Sequence, residues 1–276
     1  MMRSKTAVSK MLIHVVLIIG SLITLYPFAW MIFSSFKSTG TVMSLPPVFF
    51  PKKWTFENYQ IIIDNNIGTY FFNSTYIALL RTIIPVYTSA ILGYIFNKFE
   101  FRFKNIVFYT MISTMMLPWI VTIIPLYNLI NKMGLIDSHL ALILPCLCSS
   151  FGIFLVRSFM YQVPSSLMES ARIDGCGEFR ILNQIVLPLV LPAMSALGII
   201  LFLSAWDDYL FPFLVLNTET RFTLTVGLAK YAFRHYVIDY GPVVAGSVVS
   251  IIPVIVVYMI FQKSIVQGIS LTGMKG

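Results

Sequence analysis

The stretch that decides the fold is MESARIDGCGEFRILNQIVLPL, Met168 to Leu189. It holds two Glu, one Asp and two Arg, and it lies between two long apolar runs. Pro164 cannot sit inside a helix, so the preceding apolar helix must end before it. Ser166 and Glu169 have the S-x-x-E spacing of a capping box, which predicts the start of a short helix. Ser170 and Ala171 are small enough for that helix to approach another surface closely. Gly175 and Gly177 predict its stop and a sharp turn, with Gly175 at a position that a side chain would crowd. A second short helix is expected from about Glu178 to Val186, with Pro188 and Pro192 opening the next apolar run. The whole reads as a helix-turn-helix held beside a membrane, within a loop spanning residues 161–188.

The rest of the chain says that the membrane is there. Of 276 residues, 58% are hydrophobic and 11% charged, and the mean hydropathy is +0.84. A soluble domain carries about 25% charged residues. The net charge of +8 is spread over short loops, which suits anionic lipid and membrane orientation and not nucleic acid. The run after Lys10 is longer than a secretory signal's apolar region and no small-residue cleavage site closes it, so it reads as a retained helix. Spans of about 20 apolar residues are expected at 11–33, 70–96, 105–129, 140–160, 189–214 and 243–261. This is an all-α, polytopic membrane protein with six transmembrane helices, read as a single domain over 1–276. Prolines lie inside several spans, which membrane helices tolerate.

Six spans put both termini on one side. With the N-terminus cytoplasmic, the cytoplasmic segments hold Arg3, Lys5, Lys10, Lys98, Arg102, Lys104, Arg157, Arg172, Arg180, Lys263 and Lys275. The outer segments hold Lys37, Lys52, Lys53, Lys132, Arg221, Lys230 and Arg234. The excess of basic residues favours cytoplasmic termini and a cytoplasmic loop 161–188. Two outer segments, 34–69 and 217–242, are long enough to dock something, or to supply interfacial aromatic anchors.

Within the quoted stretch the order is Glu169-Ser170-Ala171, three residues, Gly175, nine residues, Ile185, one residue, Leu187-Pro188. This closely resembles the EAA signature of binding-protein-dependent ABC importer permeases, with Ser170 where Ala is common. Trp206–Leu216, the phrase SARIDGCGEF that contains Asp174, and the tail from Phe261 to Gly276 resemble the carbohydrate (maltose-type) branch. The resemblance covers nearly the whole chain and implies a bacterial cytoplasmic (inner) membrane permease for a sugar, oligosaccharide or polyol. It further implies a companion permease forming a heterodimer, two ATPase subunits carrying ATP and Mg, and an extracellular or periplasmic solute-binding protein. Glu169, Ser170, Ala171, Asp174, Gly175, Ile185, Leu187 and Pro188 would then couple the chain to the ATPase.

Arg81 lies about 18 Å along span two at 1.5 Å per residue. A mid-membrane Arg is costly and is a functional candidate by default. It either pairs with Asp207 or Asp208, or lines the solute path with them and Trp206. Asp207 stands where the family has Asn. There is no G-x-x-x-x-G-K-[ST] phosphate loop, no catalytic constellation, no cofactor expected in this chain and no metal cluster. Cys146, Cys148 and Cys176 read as buried, inert thiols, and His14, His139 and His235 as structural. The alternative reading is a self-contained secondary transporter or channel. Against it, no inverted repeat is visible and Asp207-Asp208 is the only acidic pair in a span.

Overall fold

A computed structural model of the chain describes residues 2–38, 40–234 and 240–272, with side chains for 10–38, 40–232 and 240–262. Expectations for Arg3, Lys5, Arg234, His235, Lys263, Lys275 and the tail beyond Gln262 lie outside the described side chains. The helices, in order, are α1 Met2–Ser35, α2 Glu57–Asp64, α3 Ile67–Lys98, α4 Lys104–Ser113, α5 Trp119–Lys132, α6 Leu140–Ile143, α7 Ser150–Met160, α8 Ser165–Ile173, α9 Glu178–Ile181, α10 Leu187–Trp206, α11 Leu210–Val215, α12 Leu224–Arg234 and α13 Tyr240–Thr272. Among the described residues there is no strand. Five helices among the described residues are long and apolar enough to cross a membrane, or six if one bent pair is a single span.

The bent pair corrects the sequence reading. The expected span 105–129 is two helices, Lys104–Met116 and Trp119–Lys132, turned through 106°. The residue before a proline is pushed out of the helical region. Leu117 accordingly sits at φ −79°, ψ 122°, and Pro118 begins the next helix. The expected span 189–214 also ends early. Its helix stops at Trp206, with Asp207 as its cap, and α11 restarts at Leu210. A continuous helix would drive the Pro212 ring into the carbonyl four residues before it, and the break at 207–209 avoids that. Upstream, Pro188 and Pro192 do not open the span. The helix runs unbroken from Glu178 to Trp206, and residues Leu182–Val186 widen into a π turn. The wider turn makes room where the Pro188 ring would meet the Gln184 carbonyl.

The chain forms two compact units, Met1–Gly68 with Leu228–Ile252, and Thr69–Gly227 with Pro253–Gly276. In the first, none of the apolar window of α1 is buried, as suits a helix solvated by hydrocarbon. At its end Phe33 packs with the aromatics of segment 34–69. Phe33 meets Phe49, Phe50 and Trp54, and Phe36 meets Trp54, Phe56 and Tyr59. Buried Asn58 donates to the carbonyls of Ser35 and Lys37 at 2.8 and 2.7 Å and so fastens the return of the chain.

In the second unit the core joins α3, α7, α8, α9 and α10 through Ala90, Tyr94, Val156, Met160, Met168, Ala171, Ile181, Val190 and Leu197. Small residues let these helices close up. A Cβ on Gly152 of α7 would overlap Ser89 Oγ on α3 and come within 2.9 Å of Leu197 on α10, the close approach that membrane helices obtain from Gly and Ser. Cysteine burial was over-read. Cys146 is half-buried and Cys148 exposed, because the chain leaves helical geometry just before Ser149 caps α7 by accepting from Gly152 N at 3.0 Å, and Cys176 is half-buried in the turn after α8.

Candidate functional site

The polar hairpin is built around one left-handed residue. Helix α8 ends at Ile173, and Gly175 takes φ +82°. Its N–H donates to the Arg172 carbonyl at 3.0 Å, and the Cys176 N–H donates to the Ala171 carbonyl at 2.9 Å. These are the two bonds of a Schellman stop. Space is not the reason for glycine here, contrary to the sequence reading, since a Cβ at Gly175 would meet nothing within 4 Å. The backbone conformation is the reason. Gly177 takes an ordinary extended conformation at φ −72°, ψ 157°, so one glycine makes the turn.

The expected capping box does not form. Pro164 takes the cap position and α8 starts at Ser165, without a side-chain cap bond. Ser166 therefore falls inside the first turn, where its carbonyl accepts from Ser170 Oγ at 2.9 Å. Glu169 is left free of a capping duty and exposed. Ser170, Asp174, Gly175 and Pro188 are exposed as well, whereas Ala171 is buried and Ile185 and Leu187 are half-buried. Ala171 joins the core of the second unit, and Ile185 and Leu187 pack against it. The hairpin thus has a fastened side and a presented side.

Sequence reasoning missed what fastens it. Arg172 Nε donates to Glu178 Oε1 at 2.6 Å and its Nη2 to Oε2 at 3.2 Å, while Tyr94 Oη of α3 donates to Oε2 at 2.7 Å. The bond to Glu178 raises the Arg172 pKa further above its ordinary value. The signal was an Arg and a Glu of opposite charge six residues apart across a glycine turn. Also missed were the apolar groups on the presented side. Ile173 is 86% and Phe179 71% exposed.

The second candidate group sits on α3 and after α10. Arg81 Nη1 lies 2.8 Å from Asp208 Oδ2, with side chains only 11% and 12% exposed. Arg81 Nε is buried with no hydrogen-bond partner. Asp207 is exposed and forms no ion pair among the described residues. Trp206 is buried, stacked on Phe202 and edge-on to Phe71. Of the four candidates, the fold brings Arg81 and Asp208 together, leaves Asp207 apart and packs Trp206 inward.

A third polar group, unanticipated, ties loop 133–139 to loop 216–223. Asp137 Oδ1 accepts from the Asn217 and Thr218 N–H groups, both at 2.9 Å, and Arg221 Nη1 stands 3.3 Å from Oδ2. Burial pushes the Asp137 carboxyl up, but the bonds from Thr218 and Asn217, with Arg221, outweigh it and bring the pKa down to about 2. His139 bridges Tyr76 and the Arg221 carbonyl, in keeping with its structural reading. Among the described residues no group of three His, Cys, Asp or Glu is arranged to hold a metal.

Comparison with known proteins gives these arrangements a context. A family model described as "Binding-protein-dependent transport system inner membrane component" matches residues 86–271. The chain is 36% identical over 261 residues to the diacetylchitobiose uptake system permease protein NgcG of Streptomyces coelicolor, covering 93% of this chain and 86% of the relative. It is 34% identical over 260 residues to the arabinooligosaccharides transport system permease protein AraQ of Bacillus subtilis, covering 93% and 92%. In fold it is similar to a chain of a bacterial ABC transporter involved in the import of the acidic polysaccharide alginate, with TM-score 0.81 and 24% identity over 93% of this chain and 96% of that one.

Proposed function

The chain belongs to the family of binding-protein-dependent transport system inner membrane components, and from that premise we propose that it is one permease of an ATP-driven importer for a sugar or oligosaccharide. The relatives NgcG and AraQ are named for uptake of diacetylchitobiose and arabinooligosaccharides, which supports that solute class. In this reading the chain spans a bacterial cytoplasmic membrane with both termini inside. It pairs with a companion permease to enclose the path. Two ATPase subunits, carrying ATP and Mg, drive it, and a solute-binding protein delivers the cargo. A solved neighbour is a bacterial alginate ABC transporter in complex with a pentasaccharide-bound periplasmic protein.

The observation that carries the proposal is the two-sided hairpin. A segment that passes force needs one face fixed to the moving helices and another free for the motor. Ala171, Ile185 and Leu187 secure the hairpin to α3, α7 and α10, and Glu169, Ser170, Ile173, Asp174 and Phe179 stand clear on the other side. The presented face is the one that meets the ATPase, with Ile173 and Phe179 as its apolar anchors and Glu169 as its charge. Pro188 and the π turn lie on the continuous helix that carries the motion into α10. Arg81 and Asp208 join α3 to the far end of α10, so the two helices move as one.

The test is uptake and ATP hydrolysis by the reconstituted assembly. Ile173→Asp and Glu169→Lys should leave insertion and companion pairing intact, and should uncouple ATP hydrolysis from sugar uptake. Full uptake by both variants would reject the docking role. Purified chain that transports sugar with no ATPase present would reject the assembly.

A further inference from the structure

Lys37 lies two residues beyond the end of α1 and is only 3% exposed. Its Nζ donates to Ser34 Oγ at 2.9 Å and to the Val48 carbonyl at 2.6 Å, and stands 5.2 Å from the Trp30 ring centroid. All of these partners are neutral. Among the described residues no carboxylate forms an ion pair with it. A buried charge is ordinarily paired, and here burial pushes the ammonium pKa below its usual value.

Lys37 also lines a cavity of about 180 Å³, together with Ser38, Thr41, Ser44, Lys52 and Lys53. Among the described residues no acid lines it. Three lysines and three hydroxyl-bearing residues line a space of several water volumes, at roughly 30 Å³ each, a basic and polar lining suited to an oxyanion. The location says which one. The candidate span of α1 ends at Ser35, two residues before Lys37, and a span of that length would bring the cavity to the edge of the hydrocarbon layer. Phe50, which also lines it, is 60% exposed and nearby Trp54 is 56% exposed. Aromatics of this kind settle at membrane interfaces, and a cluster of lysines there attracts an anionic headgroup more strongly than a zwitterionic one.

We propose that the cavity beside Lys37 binds the phosphate headgroup of an anionic phospholipid. The site does not depend on what the chain transports. A free phosphate would satisfy the same ammonium and hydroxyl groups. The exposed rings beside the opening favour the lipid, because they offer its acyl chains a surface that a free ion does not use.

Native mass spectrometry of the full chain in detergent tests this, with dioleoyl phosphatidylglycerol, dioleoyl phosphatidylcholine and inorganic phosphate as probes. Phosphatidylglycerol should be retained in preference to phosphatidylcholine. Lys52→Gln and Lys53→Gln, at exposed positions, should each lower its occupancy about fivefold, and Lys37→Met should lower it further. If Lys37→Met does not fold, as judged by circular dichroism and gel filtration, the Lys52/Lys53 double variant decides the matter alone. Equal retention of the two lipids, or unchanged retention in the double variant, would overturn the proposal. Phosphate binding without any preference for phosphatidylglycerol would overturn the lipid source.

Discussion

Two Arg–carboxylate pairs of nearly equal length do different work in this chain. Arg81 and Asp208 meet at 2.8 Å with side chains 11% and 12% exposed, and Arg172 and Glu178 meet at 2.6 Å with side chains 42% and 41% exposed. Distance does not rank them; burial does. In the first pair each charge depends on the other, because lipid or protein replaces water around it. In the second, water can solvate both ions if they part, and the pair gains its precision from two parallel bonds and from Tyr94. A buried pair is costly to break from one side, while an exposed pair is easily exchanged.

The largest expected effect follows from the buried pair. Arg81→Met strands the Asp208 charge and should cost about 3–5 kcal/mol, seen as a lower unfolding temperature and yield in detergent. Adding Asp208→Leu should return much of it, since a matched apolar pair can replace a buried ion pair. Asp207→Asn should leave stability nearly unchanged. Normal stability of Arg81→Met, with uptake lost only for acidic sugars, would move Arg81 from a helix link to the solute path.

Next in size is the turn that holds the exposed pair in place. Gly175→Ala should cost about 1–2 kcal/mol for a left-handed Ala, and Gly175→Asn less, because Asn tolerates that conformation better. Equal losses for Ala and Asn would show that a partner surface fills the space beside Gly175.

Asp137 offers an intermediate case, a carboxylate held by N–H donors with its side chain 22% exposed. Its pKa falls from 3.8 to about 2 on folding. The stabilisation is therefore complete above about pH 4 and fades as the pH drops toward 2. Solvent screening trims it, so the change should be smaller than for the buried pair. Asp137→Asn should flatten the acid limb of a melting-temperature profile between those pH values. An unchanged limb would assign acid lability to other groups.

The smallest effect is expected at Arg172→Gln or Glu178→Gln, about 0.2–1 kcal/mol and weaker at high salt. Uptake should fall more than stability does, because the staple sets the angle of the presented face. Equal, small losses in both would reduce the staple to packing.

Much of this was readable from residue order, for reasons that also mark the boundary. Apolar run lengths gave the helices Ile67–Lys98 and Tyr240–Gln262, since the hydropathy of a whole window is a sum over residues. A sum has no direction, so the 106° corner at Leu117-Pro118 was invisible to it. Pro85 and Pro253 lie inside continuous helices and look the same as Pro118 in sequence; neighbouring contacts decide which proline breaks. The hairpin was legible because Pro164 and Gly175 act locally. Its capping box was not, because Pro164 takes the cap position two residues before Ser166. The choice of Asp208 over Asp207 as partner for Arg81 depends on where α10 stops, and a pair of adjacent acids carries no such information. The Arg172–Glu178–Tyr94 staple needs α3 in place, 78 residues away from Arg172 in the chain.

The corner at Leu117-Pro118 also governs parity. Helix Lys104–Met116 has 13 residues and Trp119–Lys132 has 14, so each reaches only about 20 Å at 1.5 Å per residue, short of a hydrocarbon layer of about 30 Å. Neither half crosses alone. The pair either completes one passage together or enters and returns, and the count of crossings turns from even to odd on that choice. The proposed sidedness, with both termini inside, requires the completed passage. Every segment downstream, the polar hairpin included, faces the compartment that this corner assigns to it.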